Sequence, residues 1–539
     1  MTGLRVSEPA GRWVLAATVG GSSLAMLDAT VVTVALERIG RELHTDLATL
    51  QWVTNGYTLS LAALILLGGA LGDRFGRRRV FVLGVVWFAL ASALCGLAPS
   101  AGLLVAGRVL QGVGGALLAP GSLAIIAASF SGNDRSRAIG SWSALGGLAG
   151  AIGPFVGGAL VTVNWRAVFW VNIPIAIVVI AIAVRHVPES RDADAAPRLD
   201  LFGAALAVIG LGGLTAALTW IGEFGVTGTV LVSGLTGIGA LIAFGVVEAR
   251  SANPLVPLVL FADRLFRATN LITLLIYGAF GVFFFLLVLQ LQTVAGYSPT
   301  IAGTAMLPVT ALMLILSARS GALADRIGPR PQLIVGPLLA GAGFVMATRI
   351  GPGASYLLDV LPATVLLGFG LASSVAPLTA SVLSAADEHH AGVASGINNA
   401  VARSAGLLAL ALVPSVAGLG GADYTDPAAF DVGFDRAMFI GAGLLALAAA
   451  VSALLLRPTE RSGDRARRRS TQTQPQGQTS PQQPTQTPAP APEPAPDDAE
   501  DRAAAPEGPT EPAASVKLAE YSHCGIGGPQ LYPACHPDQ

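Results

Sequence analysis

The chain alternates between long apolar stretches and short polar ones. A helix needs about 20 apolar residues, at 1.5 Å each, to cross roughly 30 Å of hydrocarbon. Fourteen stretches meet that length, near residues 13–36, 50–72, 79–98, 101–130, 136–162, 166–185, 201–221, 227–247, 267–292, 300–318, 331–350, 355–384, 391–418 and 437–456. The pattern therefore predicts an all-α integral membrane protein with fourteen transmembrane helices.

The distribution of arginine between these stretches predicts the orientation of the chain. Positive charge in short loops is retained on the cytoplasmic side. With both termini placed in the cytoplasm, 17 basic residues before the tail lie on that side. Five lie outside, namely Arg38, Arg41, Arg166, Arg349 and Arg436. We therefore expect a multi-pass protein of the cell membrane with both termini cytoplasmic.

Composition changes abruptly after the last apolar stretch. Residues 457–539 contain 15 of the 34 prolines, together with runs of Gln, Thr, Ala and Glu. Such a segment cannot bury enough apolar surface to form a core. We expect residues 1–12 to be a cytoplasmic N-terminus and 457–539 a disordered cytoplasmic tail.

Overall composition excludes several classes of protein. Of the 539 residues, 53% are apolar and 12% are charged, and the mean hydropathy is +0.64. A water-soluble enzyme carries about 25% charged residues. The net charge of −1 gives no reason to propose nucleic-acid binding. Cys524 and Cys535, with the adjacent His523 and His536, match no zinc spacing, so no metal and no cofactor is predicted.

An internal repeat divides the membrane region. The loop Gly69–Arg78 and the loop Gly321–Arg330 are similar in sequence and lie 252 residues apart. At the same offset, Gly140 matches Gly392, each expected to open a fifth helix. A repeat of this kind predicts two similar bundles with a substrate site between them near the midplane. We therefore predict six-helix bundles at 13–185 and 267–456, joined by a linker, 186–266, that carries two inserted helices.

Gly69–Arg78 resembles the signature loop of the major facilitator superfamily, and the fourteen-helix pattern resembles its drug:proton antiporter branch. The resemblance extends over residues 13–456. It implies two six-helix bundles that work by alternating access, with the signature loop as a cytoplasmic gate. The implied gate residues are Gly69, Asp73, Arg74, Gly76 and Arg77, with Asp325 and Arg326 in the second copy. Pro329 replaces an arginine there, which predicts a weaker second lock.

Asp28 and Arg108 lie within apolar stretches where charge is costly, as does a second arginine, Arg403. Asp28 lies eight residues before the end of the first stretch, roughly 12 Å deep at helical rise. A carboxylate at such a depth has to be protonated or paired. Arg108 begins a segment of the fourth stretch and needs a polar cavity or an acid. The resemblance assigns both residues to proton coupling; structural pairing for Asp28 and snorkelling for Arg108 are the alternatives.

The fifth stretch is rich in glycine. Gly146, Gly150, Gly153 and Gly157 recur at helical spacing and would share one face, where small residues let helices approach closely. The segment around Gly153 and Pro154 resembles the antiporter motif, which separates exporters from uptake symporters. We assign to that motif Gly140, Gly150, Gly153, Pro154, Gly157 and Gly158. Ala149 departs from the antiporter motif, which usually has glycine there. The alternative role for these glycines is simple helix packing. Trp165 and Asn172 also lie in segments resembling the drug-exporter branch.

These features predict proton-driven efflux of a hydrophobic, neutral or monocationic compound by a monomer in the lipid bilayer. Only one lysine, Lys517, accompanies the arginines, which is typical of a GC-rich genome. Together with the family resemblance, this bias points to self-resistance of an antibiotic producer to an aromatic compound. No phosphate-binding loop or hydrolase motif accompanies them, so the protein is not expected to be an enzyme. The alternatives are a proton-coupled uptake symporter, or a membrane sensor or scaffold that uses the tail. Deleting the tail and assaying resistance would separate the last of these.

Overall fold

A computed structural model describes residues 4–192, 199–251, 254–385, 391–420 and 426–456. The described chain is helical and forms no β-sheet. Predictions that fall on residues 457–539, including the disordered tail, concern residues outside this part of the chain.

Fourteen spans account for nearly all of the described residues, as predicted. The helices are α1 (Pro9–Leu43), α2 (Leu47–Phe75), α3 (Arg77–Gly96), α4 (Ala101–Ser129), α5 (Gly132–Val163), α6 (Ala167–Trp170), α7 (Asn172–His186), α8 (Leu201–Phe224), α9 (Gly228–Arg250), α10 (Arg264–Thr293), α11 (Pro299–Thr304), α12 (Leu307–Ile327), α13 (Pro329–Ala347), α14 (Leu361–Ser384), α15 (Ala391–Val416) and α16 (Pro427–Leu455). The sixth span is α6 with α7, and the tenth is α11 with α12. A π-helical turn, Tyr356–Val360, leads into α14.

Some helices begin earlier than hydrophobicity alone predicts. Helix α16 begins at Pro427, ten residues before the predicted 437, because the Asp426 carboxylate caps it through the Ala428 amide at 3.0 Å. Helix α5 begins at Gly132, so Gly140 lies two turns inside it and does not open the helix as predicted. Charged residues in these first turns interrupt the apolar pattern without interrupting the helix.

The internal repeat has a backbone counterpart. Helix α2 ends at Gly76 with φ 114°, and α12 ends at Gly328 with φ 81°, again 252 residues later. Such φ values are strained for any residue with a Cβ. The next helix starts at once in both copies, at Arg77 and at Pro329. Glycine therefore allows the same tight connection between spans in each half.

The pair α8 and α9 has a far less buried surface than its neighbours. On α9 only Val230, Gly237 and Glu248 are buried, whereas Leu235 and Ile242 are 68% and 64% exposed. Helix α8 packs on α2 and on α15. An apolar surface of this size suits contact with lipid.

The two halves are in close contact at the predicted outer side. At the predicted outer side, the backbone around Gly158 of α5 lies against Thr300 of α11, and Gly303 approaches the Pro154 carbonyl. The Gln292 amide also donates to the Val34 carbonyl at 3.2 Å. The opposite half of α5 is mostly exposed or half-buried over residues 139–150. The described helices are thus closed at the predicted outer side, while the inner part of α5 is largely exposed.

Candidate transport site

Asp28 and Arg108 form a buried ion pair. The Arg108 Nη1 atom lies 2.5 Å from Asp28 Oδ2, and the two side chains are 1% and 0% exposed. Asp28 lies 15 residues before the end of α1, roughly 22 Å along the helix axis and deeper than the sequence predicts. Snorkelling of Arg108 does not fit this geometry, whereas structural pairing of Asp28 agrees with it as well as proton coupling does.

Neutral side chains complete the coordination of the carboxylate. Asp28 Oδ1 accepts from Gln111 Nε2 and from Asn172 Nδ2, each at 2.8 Å. Both amides also donate to the Ser92 hydroxyl, at 3.3 and 3.0 Å. Ser92 in turn donates to the Phe169 carbonyl at 2.9 Å. Four spans of the first half (α1, α3, α4 and α6–α7) therefore meet at one polar cluster.

Arg108 has further partners besides the carboxylate. Its Nε donates to the Val53 carbonyl at 3.0 Å, and Nη1 donates to Gln111 Oε1 at 2.6 Å. The guanidinium carbon lies 4.5 Å from the centre of the Tyr57 ring and 6.0 Å from that of Phe169. Aromatic faces stabilise a desolvated cation by about 0.5–2 kcal/mol. The guanidinium thus retains favourable contacts even when the charge on Asp28 is removed.

The signature loop is held by the segment that follows α7. Asp73 pairs with Arg77 at 2.8 Å, one helical turn away. The Arg77 amide donates to the Ser190 carbonyl at 2.9 Å, and the Arg78 amide donates to Glu189 Oε1 at 3.1 Å. These contacts lie within the first half. In the second copy, Asp325 and Arg326 are exposed and form no ion pair with the residues that the structure describes.

The antiporter segment contributes to two helix contacts. A Cβ at Gly157 would lie 3.0 Å from Val31 Cα, and one at Gly153 would overlap the Thr30 hydroxyl, so both glycines face α1. Gly158 faces α11 instead, where a Cβ would lie 2.6 Å from Thr300 Cα. Gly140 and Gly146 have no atom within 4 Å of the equivalent position. Only the outer half of the predicted glycine face is therefore in close contact.

With this geometry established, similarity to known proteins becomes informative. Residues 18–410 match the family description of the Major Facilitator Superfamily. The chain is 36% identical over 478 residues to the puromycin resistance protein of Streptomyces alboniger, covering 85% of this chain and 93% of that protein. The chain belongs to the major facilitator superfamily.

Other relatives of this superfamily member carry names of the same kind. The tetracenomycin C resistance and export protein of Streptomyces glaucescens is 35% identical, covering 74% of each chain. The cephamycin export protein of Amycolatopsis lactamdurans is 36% identical, covering 81% of this chain and 91% of that protein. The chain is accordingly a multi-pass membrane transporter rather than an enzyme.

Solved structures agree on the fold. The POT family transporter PepTSo superposes with a TM-score of 0.59 at 17% identity, covering 86% of this chain and 98% of that chain. A bacterial homologue of the human lysosomal transporter Spinster, solved in an inward-facing form, gives a TM-score of 0.59 at 18% identity over 83% and 97% of the two chains. At these identities the likeness concerns the major facilitator fold alone.

The second half of this transporter has no equivalent polar cluster. The positions 252 residues after Asp28, Ser92, Arg108 and Gln111 are Phe280, Phe344, Val360 and Ala363. All four belong to the hydrophobic core, where the Phe344 ring lies 4.7 Å from that of Phe283. The repeat therefore preserves the helices and omits the ion pair.

Sequence reasoning identified the charged pair but not its surroundings. Asn172 stands out only as part of a segment resembling the family, Gln111 follows Arg108 in the same stretch, and Ser92 lies unmarked in an apolar run. A serine in a membrane helix is common, so no local signal distinguishes Ser92. The residues of the polar cluster come together because four helices converge. Their spacing along the chain does not predict that convergence.

Proposed function

We propose that this chain exports a largely apolar compound from the cell in exchange for inward-moving protons. The resistance and export functions named for its relatives support the direction of transport. The observation that carries the proton coupling is the buried Asp28–Arg108 pair. Asp28 is the proton carrier in this proposal, and Arg108 is its counter-charge.

Protonation is the step that gives the pair two states. A proton on Asp28 removes the charge attraction to Arg108, while the Val53 carbonyl, Gln111 and the Tyr57 ring still hold the guanidinium. A buried ion pair whose charges are balanced tolerates neutralisation of one partner only if the other has substitute contacts. Gaining and losing this proton would favour different arrangements of the two halves, and alternation between them would move the compound.

The proton gradient provides enough free energy for export. Each inward charge gains about 2.3 kcal/mol per 100 mV of membrane potential. Each pH unit adds about 1.4 kcal/mol. Since a tenfold concentration ratio corresponds to about 1.4 kcal/mol, one proton supports a steep gradient of an uncharged compound. No ATP-binding segment is required.

Transport in everted vesicles tests the proposal. In a host lacking its own exporters, vesicles containing the chain should take up tetracenomycin C when the lumen is acidified. Asp28→Asn should abolish this uptake, whereas Asp28→Glu should retain part of it. Asp359→Asn, which removes a peripheral pair with Arg349 at 3.7 Å, is the matched control and should export normally.

Two further readouts separate loss of coupling from loss of folding. Immunoblots of the membrane fraction give the amount of each variant. Exchange of labelled for unlabelled compound without a gradient should persist in Asp28→Asn, because that exchange requires no proton. Uptake that survives collapse of the proton gradient, or wild-type uptake by Asp28→Asn, would contradict the proposal.

Self-resistance of an antibiotic producer remains part of the proposal, supported by the Streptomyces and Amycolatopsis relatives. We also propose a monomer as the working unit, since the whole polar cluster lies within one chain. Uptake symport is the second mechanism to consider, and the resistance and export functions named for the relatives favour antiport over it.

A further inference from the structure

A second arginine lies at membrane depth, between the two halves. Arg403 is 12 residues after the start and 13 residues before the end of α15. Gly396, two helical turns earlier on the same face, lies against Leu66 of α2, where a Cβ would be 2.9 Å from Leu66 Cδ2. Arg403 therefore projects toward α2. The groups in electrostatic range of its guanidinium are Tyr57 of α2 and Tyr277 of α10.

No acid neutralises Arg403 among the residues that the structure describes. It forms no ion pair there, and its enclosed Nε atom has no hydrogen-bond partner. The nearest deep carboxylate, Asp28, already accepts three hydrogen bonds from Arg108, Gln111 and Asn172. Tyr57 stands close to both guanidiniums and presents its ring to Arg108.

An uncompensated cation at this depth is costly unless something provides the opposite charge. Arg403 is half-buried, whereas Arg108 is fully buried, so part of Arg403 remains exposed. The equivalent position in the first half, 252 residues earlier, is Ala151, so the repeat does not require a charge here. A guanidinium matches the geometry of a carboxylate, with which it forms two parallel hydrogen bonds.

We propose that Arg403 binds an acidic group of the transported compound, so that the substrate class is the amphiphilic organic anion. This inference rests on the proposed export function and refines its substrate. It replaces the sequence-based expectation of a neutral or monocationic compound, because a cation approaching Arg403 would be repelled. Tyr57 and Tyr277 would provide the aromatic contacts beside the bound acid.

Three probes on one pyrene skeleton test the charge preference directly: pyrenebutanoate is anionic, pyrenebutanamide is neutral, and pyrenebutylamine is cationic. Binding is measured by fluorescence titration of the full-length chain in lipid nanodiscs, with empty nanodiscs subtracted. We expect the anion to bind at least about tenfold more tightly than the amide, and the cation to bind most weakly.

Substitution at position 403 should remove this preference selectively. Arg403→Gln should weaken binding of the anion about tenfold, to the affinity measured for the amide, and should change the affinity for the amide by less than about twofold. Arg403→Lys should retain part of the preference, since it keeps the charge. Arg319→Gln, at an exposed arginine that donates to the Ile315 carbonyl, is the matched control and should change nothing.

The outcomes distinguish this inference from the export proposal. Equal affinity of the wild type for anion and amide, or equal weakening of all three probes by Arg403→Gln, would overturn the role of Arg403. Thermal melting of each variant in nanodiscs shows whether a loss is due to unfolding. If Arg403 governs anion binding but Asp28→Asn still exports at the wild-type rate, the proton-coupling proposal fails and the substrate assignment stands.

Discussion

At the scale of the residue, the carboxylate of Asp28 is held by one charged and two neutral donors. A hydrogen bond to a charged group contributes about 1.5–3 kcal/mol, so the two amides together rival the arginine in stabilising the carboxylate. Asn172 is the more separable of the two because it contacts Asp28 and Ser92 but not Arg108. It is a positioning residue whose effect should pass through the carboxylate.

Asn172→Ala should reduce proton-driven export about tenfold, because Asp28 loses a donor worth roughly 1.5–3 kcal/mol. Gradient-independent exchange of the same compound should change by less than about twofold, a difference that simple instability would not produce. Export in acidified everted vesicles and exchange without a gradient are the two measurements. The control is Asn55→Ala, another buried asparagine, whose Nδ2 has no partner among the described residues. Equal loss in both assays would count against a positioning role.

The sequence identifies these two charges because charge inside an apolar run is rare. Their contact could not be foreseen, since Asp28 and Arg108 are 80 residues apart and meet through packing of α1 against α4. Arg403 was noticed only as a second arginine within a membrane run. Its distance from any acid depends on which faces of α2, α10 and α15 meet, which hydrophobic periodicity leaves undetermined.

At the scale of the element, α5 divides into two parts with different neighbours. Its outer part lies against α1 and α11 through glycines, and its inner part is largely exposed. The sequence predicts the glycine face correctly as a periodicity. It does not reveal that α5 also contacts α11, a helix of the other half. Nor does it reveal that only the outer half of the glycine face is in close contact with a neighbouring helix.

Gly158→Ala should weaken the contact that closes the outer side. The added Cβ would lie 2.6 Å from Thr300 Cα, closer than real Cβ contacts, so α5 and α11 must separate. Labelling of a cysteine introduced at the buried Ala302 by an impermeant maleimide should increase at least about fivefold, as the population of the opened form rises. Gly147→Ala, with open space around the same atom, is the control. Unchanged labelling would show that the contact yields without opening.

At the scale of the whole molecule, the two halves share helices but not chemistry. The residues that we propose for proton coupling belong to the first half, while Arg403 comes from the second and faces the first. Hydrophobicity, loop charge and the 252-residue repeat are enough to predict fourteen spans in two similar bundles. They are not enough to predict which end is closed, because closure depends on contacts between halves that carry no sequence period.

The exposed inner part of α5 should face the cytoplasm, because the arginine-rich loops lie at that end and positive loops stay inside. Single introduced cysteines test this orientation in a variant in which Cys524 and Cys535 are replaced by serine and the buried Cys95 is retained. Ser143→Cys, exposed on the inner part of α5, should react with an impermeant maleimide in everted vesicles and not in intact cells. Gly102→Cys, at the exposed start of α4 on the predicted outer side, should react in intact cells and not in everted vesicles. Exchange of the two patterns would invert the orientation, and with it the direction of the proposed export.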